Sequence, residues 1–218
     1  MEYPPEWDPW DERPSLRGKP DVVAFCCAVP AGIVLAANAA TSLGVFASLV
    51  FAFGLSLMLG MSGLYHTINW GPERFIFLSR CDYASIYVMI GASYTPFCLC
   101  TPGFTYGKEL LGAVWIGVVL GVVLTMFRPS SSRALRAALY VLLGVALLPT
   151  IPSYYQAVSR EVFAMTAGGG VLYIVGACCY VAHWPNPVPK HYGHHEVFHM
   201  FVFMAAALHY AAIWTIVT

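Results

Sequence analysis

The sequence predicts an all-α integral membrane protein folded as a bundle of seven transmembrane helices. Apolar residues make up 59% of the chain and charged residues only 10%, whereas a soluble domain carries about 25% charged residues. Long runs without any charge alternate with short charged segments, and the basic residues fall mainly on every second segment. Because the 11 basic and 11 acidic residues cancel, no overall charge indicates a nucleic-acid partner.

The charge-free runs define the predicted spans. Residues 22–72 contain no Lys, Arg, Asp or Glu, and since one span needs about 20 residues, this run holds two. Five further runs each hold one, and they lack the polar alternation of a barrel strand. Residues 1–21, rich in Pro, Trp and charge, are interpreted as a cytoplasmic N-terminal tail before a seven-transmembrane domain over 22–218. The predicted spans are 22–40, 44–66, 82–101, 109–127, 136–151, 162–182 and 195–217.

The positions of Lys and Arg predict the orientation. If the N-terminus is cytoplasmic, nine of the eleven basic residues lie on cytoplasmic segments and only Lys108 and Arg160 lie outside. Such a bias favours this orientation and an odd number of spans. We therefore expect an integral protein of the plasma (inner) membrane with a cytoplasmic N-terminus. The nine residues are Arg13, Arg17, Lys19, Arg74, Arg80, Arg128, Arg133, Arg136 and Lys190.

Four ionisable residues stand at the predicted span ends. His66 ends the second span, Asp82 opens the third, and His195 and His199 open the seventh. Ionisable residues inside membrane spans are costly and mark functional sites. Because the predicted topology brings all four to the cytoplasmic side at one depth, the sequence predicts one shared site.

The histidine spacing predicts a metal site. His195 and His199 are four residues apart and share one helix face, so both can reach a Zn²⁺ at about 2.0–2.1 Å. His66 from a neighbouring helix completes a three-histidine site whose fourth position is left for water, the catalytic arrangement. Ser62 lies one turn before His66 on the same face. His209 lies about 15 Å deeper than His199, too far to share the metal, and is predicted to pack or to form a hydrogen bond.

The segment from His195 to His199 also matches the His-Glu-x-x-His pattern of zinc metalloproteases, in which the glutamate, here Glu196, is the general base. Such proteases use a further carboxylate ligand downstream, and no Asp or Glu follows His199. An upstream residue, His66 or Asp82, would have to take its place. An intramembrane metalloprotease therefore remains as a rival interpretation.

Together, several short motifs resemble those of the haemolysin III family, the bacterial branch of the progestin and adipoQ receptors, from about Leu16 to Tyr210. The resemblance implies a seven-helix bundle with a zinc ion near the cytoplasmic face, held by residues 66, 195 and 199. Residues 62 and 82 would line the zinc-bound water. Relatives are linked to hydrolysis of amide-linked lipids such as ceramides. The motifs are Ser62-Gly-Leu-Tyr-His66, Arg80-Cys-Asp82-Tyr-Ala-Ser-Ile, Ala92-Ser-Tyr-Thr-Pro-Phe97, Pro185-Asn-Pro and His194-His-Glu-Val-Phe-His199.

The resulting functional prediction is a ceramidase-like, zinc-dependent hydrolase of lipid amides or esters, with a membrane lipid as substrate. Asp82 would act as the base, and Ser62 would hydrogen-bond the water or the developing oxyanion. Glu196 is turned by about 100° from His195 around the helix and is expected at the interface, within reach of water or Lys190. The main alternative is a non-enzymatic, zinc-stabilised membrane receptor or cytolysin-like protein.

Overall fold

A computed structural model describes residues 13–127 and 132–218. Over these residues, seven helical stretches are long and apolar enough to cross a membrane, which confirms the all-α, seven-helix prediction. The fifth stretch, Ala134–Ala157, is broken and the other six are single helices. The helices are α1 Lys19–Ala37, α2 Ser42–Thr67, α3 Pro72–Leu99, α4 Gly107–Phe127, α5 Arg133–Gly144, α6 Ile151–Ala157, α7 Arg160–Ala182 and α8 His194–Val217.

The third span begins earlier than predicted. Helix α3 starts at Pro72 rather than at residue 82, with Gly71 as its N-cap and the proline in the first turn, where its fixed φ suits a helix. The charged residues Glu73, Arg74 and Arg80 therefore lie within the helix. They were interpreted as loop residues because they interrupt the apolar run, but surface charges at a helix end do not stop the helix.

The fifth span is not the single helix predicted over 136–151. Helix α5 ends at Gly144, a 3₁₀ turn follows at Leu148–Thr150, and α6 then runs to Ala157. Pro149 opens the 3₁₀ turn and Pro152 opens α6. Each proline lacks an N–H group and clashes with the preceding turn, and two of them three residues apart favour a break in the helix here.

Helices α1 to α4 pack side by side in sequence, α5 contacts α3, α4 and α7, and α8 packs on α7 and also contacts α1, α2 and α3. Small residues allow close approach, as expected between membrane helices: a Cβ on Gly54 of α2 would collide with Ala92 of α3. These helix contacts bring the end of α2 and the starts of α1, α3 and α8 together at one end of the bundle. We call this the histidine end, defined by His66, His195 and His199.

Candidate metal centre

Three histidines from two helices meet at the histidine end. One ring nitrogen from each of His66, His195 and His199 lies within 4.8 Å of the others. The Nε2 atoms of His66 and His195 are 3.2 Å apart, and the His195 and His199 ring centroids are 4.6 Å apart, as their spacing of four residues predicts. His66 is 5% exposed, and His195 and His199 are partly buried.

The cluster fits a metal ion. In a tetrahedral zinc site, bonds of about 2.0–2.1 Å place two ligand nitrogens about 3.3 Å apart, close to the observed separation of His66 and His195. The three side chains offer only imidazole nitrogens, which suit zinc and also copper, iron and nickel. The arrangement is therefore a possible three-histidine metal site, and its geometry alone does not select the metal.

Asp82 and Ser62 border the same site from two helices. The Asp82 Oδ2 atom of α3 is 4.0 Å from the His66 Nε2 atom. The Ser62 Oγ atom of α2 is buried and has no hydrogen-bond partner among the described residues. Both side chains line one cavity together with His195 and His199. The structure thus brings together all five residues that the sequence singled out.

Asp21 is a sixth polar residue at this site, and sequence reasoning missed it. Its Oδ1 atom lies 2.7 Å from the His199 Nδ1 atom, which is ion-pair distance, but the geometry is not that of a hydrogen bond. The residue is 2% exposed. A carboxylate beside Nδ1 would leave Nε2 available to a metal ion and would help to orient the ring. Asp21 was assigned to the tail, but α1 already begins at Lys19. One sequence feature could have indicated it: Asp21 is the last charged residue before the charge-free run of residues 22–72.

Glu196 is not at the water interface, contrary to the sequence interpretation. It is 4% exposed; its Oε1 atom pairs with Arg17, and its Oε2 atom accepts a hydrogen bond of 2.8 Å from the Gly193 N–H. The second contact is the half of a capping box that runs from the N3 side chain to the N-cap N–H at the start of α8, because the N-cap, Gly193, has no side chain. Glu196 therefore anchors the N-terminal segment to α8, and Lys190 is not its partner.

A cavity of about 180 Å³ runs between α2, α3, α5, α7 and α8. Asp82, His195 and His199 lie at one end, and Tyr173 and His209 lie farther along the bundle. Between these ends the wall is largely apolar, so the cavity suits an elongated apolar ligand with a polar head. The apolar lining includes Met58, Leu59, Ile86, Met89, Ile90, Val141, Ile174, Phe198 and Val202.

Comparison with known proteins identifies the family. The family model described as Haemolysin-III related matches residues 14–210. The chain is 30% identical to Hemolysin-3 homolog of Bacillus subtilis, over 80% of this chain and 79% of that protein. It is 34% identical to Heptahelical transmembrane protein 1 of Arabidopsis thaliana, over 75% of this chain and 54% of that protein. It is 22% identical to Monocyte to macrophage differentiation factor of Homo sapiens, over 76% of this chain and 68% of that protein. Since the family match extends from the segment before α1 into the last helix, this chain belongs to the haemolysin-III-related family of membrane proteins.

Proposed function

We propose that this chain is a zinc-dependent hydrolase that cleaves lipid amides or esters within the membrane. The observation that carries this proposal is a three-histidine cluster opening on a largely apolar cavity that also holds a carboxylate and a hydroxyl. Three protein ligands with one open position are typical of catalytic zinc. An apolar cavity beside such a site suits the acyl chains of a lipid that already lies in the bilayer.

The residues around the cluster fit distinct roles. The three histidines would hold a zinc ion, which when bound would supply Lewis-acid chemistry that polarises a carbonyl group and activates water near neutral pH. Asp82, facing His66 from α3, takes a proton from the attacking water and later delivers it to the leaving amine or alcohol. Ser62 donates its O–H to the carbonyl oxygen as negative charge develops there. The carbonyl carbon gains a bond to the water oxygen and loses its bond to nitrogen or oxygen.

The metalloprotease interpretation needs Glu196 as the base, and the contacts of Glu196 disfavour it. One of its oxygens pairs with Arg17 and the other accepts the Gly193 N–H. An ion-paired carboxylate is a weaker base, and turning towards the cluster would break both contacts. Asp82 has no comparable cationic partner among the described residues, and it already lines the cavity. We therefore assign proton transfer to Asp82.

A receptor role is the second candidate, because the cluster joins distant helices. A metal bound to His66 and His195 would link α2 to α8, and the Asp21–His199 pair adds α1. Such a link stabilises a bundle whether or not any chemistry follows. The two candidates therefore differ in turnover and not in metal content.

The proposal includes an orientation, with the histidine end at the cytoplasmic face of the plasma (inner) membrane. Its support is the nine-to-two division of basic residues between the two sides. Reporter fusions at the two chain ends measure this directly: the end after α8 should lie outside, and finding both ends on one side contradicts the proposal.

The test combines metal analysis with a lipid-hydrolysis panel of ceramide, a simple fatty-acid amide and a phospholipid ester, using purified full-length protein. We expect stoichiometric zinc and turnover of at least one lipid. Asp82→Asn should lower turnover by about 10²–10⁴-fold with zinc retained, whereas Glu196→Gln should keep most of the activity.

The two variants and the wild type separate the candidates. If Glu196→Gln abolishes hydrolysis and Asp82→Asn does not, the protease-like mechanism is favoured. If the wild type binds zinc but hydrolyses nothing on the panel, the receptor interpretation replaces the hydrolase.

A further inference from the structure

The cavity has a second polar region that none of the roles above uses. His209 of α8 and Tyr173 of α7 both line it, with ring centroids 5.5 Å apart. His209 lies ten residues beyond His199 along the same helix, a rise of about 15 Å. This second region is therefore too far from the histidine cluster to take part in metal binding.

The hydrogen bonds of His209 define what it offers to a ligand. Its Nε2 atom is 3.2 Å from the Thr166 carbonyl oxygen, and since a carbonyl only accepts, Nε2 carries the proton. Its Nδ1 atom is then an acceptor, and it is buried without a hydrogen-bond partner among the described residues. The Tyr173 hydroxyl is buried in the same way, again with no partner in the described part of the chain. Two residues that line this part of the cavity thus carry one unpaired acceptor and one unpaired hydroxyl.

Leaving the His209 Nδ1 atom and the Tyr173 hydroxyl without hydrogen bonds is energetically unfavourable. A buried polar atom without a partner costs about 1–3 kcal/mol. Nearby tyrosines avoid that cost, since the Tyr154 hydroxyl lies 3.0 Å from the Thr166 Oγ1 atom and the Tyr94 hydroxyl donates to the Gly144 carbonyl at 2.6 Å. Of these four side chains, only those of His209 and Tyr173, which both line the cavity, keep a buried polar atom without a partner among the described residues.

The position of the His209 ring depends on a glycine. A Cβ atom on Gly169 of α7 would collide with the Cδ2 and Nε2 atoms of that ring. The absence of a side chain at residue 169 thus lets the ring lie against α7 and reach the Thr166 carbonyl. With Nε2 held by this contact, Nδ1 is the ring nitrogen that stays unpaired among the described residues.

We propose that His209 and Tyr173 form a subsite for a hydroxyl group carried along the acyl chain of a lipid ligand. A hydroxyl donates to the His209 Nδ1 atom and accepts from the Tyr173 O–H. A plain methylene group leaves both unpaired, and a carboxylate cannot donate. The inference rests on the proposed function only in placing the reacting head of the lipid at the histidine cluster.

The distance between the two polar regions fixes the position of the hydroxyl. Carbon–carbon bonds of about 1.5 Å at tetrahedral angles advance an extended chain by about 1.25 Å per carbon. A separation of about 15 Å along α8 therefore corresponds to about twelve carbons. The matching ligand carries its hydroxyl near carbon 12 of the acyl chain.

The experiment compares the binding of 12-hydroxystearic acid and stearic acid to the purified zinc-loaded protein, by titration calorimetry in detergent. The free acids are products of the proposed hydrolysis, so they bind without turnover. The wild type should bind the hydroxy acid about threefold to tenfold more tightly, the usual net value of one or two hydrogen bonds. The 6-hydroxy isomer should lack this advantage. Tyr173→Phe should reduce the affinity ratio towards one, whereas the matched control Tyr154→Phe should keep it.

Equal affinities for the two acids in the wild type would overturn the subsite, as would a ratio that Tyr173→Phe leaves unchanged. A water molecule that merely fills the gap predicts the first of these results. A hydroxyl preference without any lipid hydrolysis supports the subsite and contradicts the proposed function. Hydrolysis without a hydroxyl preference supports the proposed function and contradicts the subsite.

Discussion

The histidine end and the fifth span are built in opposite ways. At the histidine end, the segment before α1 contacts three other parts of the bundle. The Ser15 N–H donates to the Lys190 carbonyl at 3.0 Å, Arg17 pairs with Glu196, and the Arg13 guanidinium lies 5.3 Å from the Phe75 ring centroid. In the fifth span, by contrast, only Ala137 and Tyr154 are buried between residues 134 and 157.

Tyrosine hydroxyls help to attach the fifth span, beside partly buried apolar side chains such as Leu143 that pack on the core. Tyr140 donates to the Tyr83 carbonyl at 3.0 Å, and Tyr94 donates to the Gly144 carbonyl at 2.6 Å. A few hydrogen bonds each contribute about 1 kcal/mol and leave a helix easier to displace than buried packing does. The candidate ligands at the histidine end therefore lie in a part of the molecule with many cross-contacts. The cavity wall formed by α5 of the fifth span is less buried.

Removing two ligands should produce the largest effect at the histidine end. In the variant carrying both His195→Ala and His199→Ala, bound zinc should fall from one equivalent to none. At a zinc concentration of 100 times the dissociation constant, the lost binding is worth about 2.7 kcal/mol of stability. Metal analysis and thermal unfolding with and without a chelator measure both quantities.

A matched double variant controls for the loss of two histidines. His183 and His194 have ring centroids 4.7 Å apart but do not belong to the cluster. Changing both to Ala should leave the zinc content intact. If the His195 and His199 variant keeps stoichiometric zinc, the metal site lies elsewhere.

Asp21→Ala should weaken zinc binding by about 10–100-fold, the usual cost of removing a carboxylate that orients a metal-binding histidine. Competition with a chromophoric chelator measures the affinity. The absorption spectrum of the cobalt-substituted protein reports whether His199 still binds, which a merely structural role of Asp21 would not change. Glu161→Ala is the matched control, because Glu161 is also a first-turn acid of a helix, α7, and should leave the affinity unchanged. Equal affinities of Asp21→Ala and wild type would remove Asp21 from the site.

Two glycine substitutions should show the smallest effect and test the difference in packing. A Cβ on Gly54 would collide with Ala92 and approach the Val88 carbonyl at 3.5 Å, whereas a Cβ on Gly144 meets nothing within 4 Å. Gly54→Ala should therefore cost about 1–2 kcal/mol through overpacking. Gly144→Ala should be neutral or add up to about 1 kcal/mol by restricting the unfolded chain. Reversible unfolding in mixed micelles measures both values, and equal losses would contradict the proposed contrast.

The number of spans was predictable because hydrocarbon excludes charge so strongly that charge-free runs mark the helices. The same physics singled out His66, Asp82, His195 and His199 and let the topology bring them together. Span boundaries were less predictable. A helix such as α3 can continue through residues that lie outside the hydrocarbon, so the ten residues before Asp82 were interpreted as a loop.

The contacts of Glu196 and Asp21 could not be predicted from local spacing. Arg17 and Glu196 are 179 positions apart, and nothing in either neighbourhood indicates the pair. Lys190, only six positions from Glu196, was the nearer candidate in sequence. Asp21 was missed for another reason, since a charge at a span boundary is equally consistent with a solvated tail. Its burial became clear only when the start of α1 and the path of α8 were known.

The separation of the ligands along the chain has a consequence for biosynthesis. His66 and His195 are 129 positions apart, with four complete spans between α2 and α8. At about 5–20 residues per second, a ribosome needs roughly 6–26 s to make the intervening chain. During that interval the nascent chain carries only one of the three candidate histidines, so a metal that needs all three could bind only after α8 is made. A chain that ends before α8 would carry only one of the three candidate histidines.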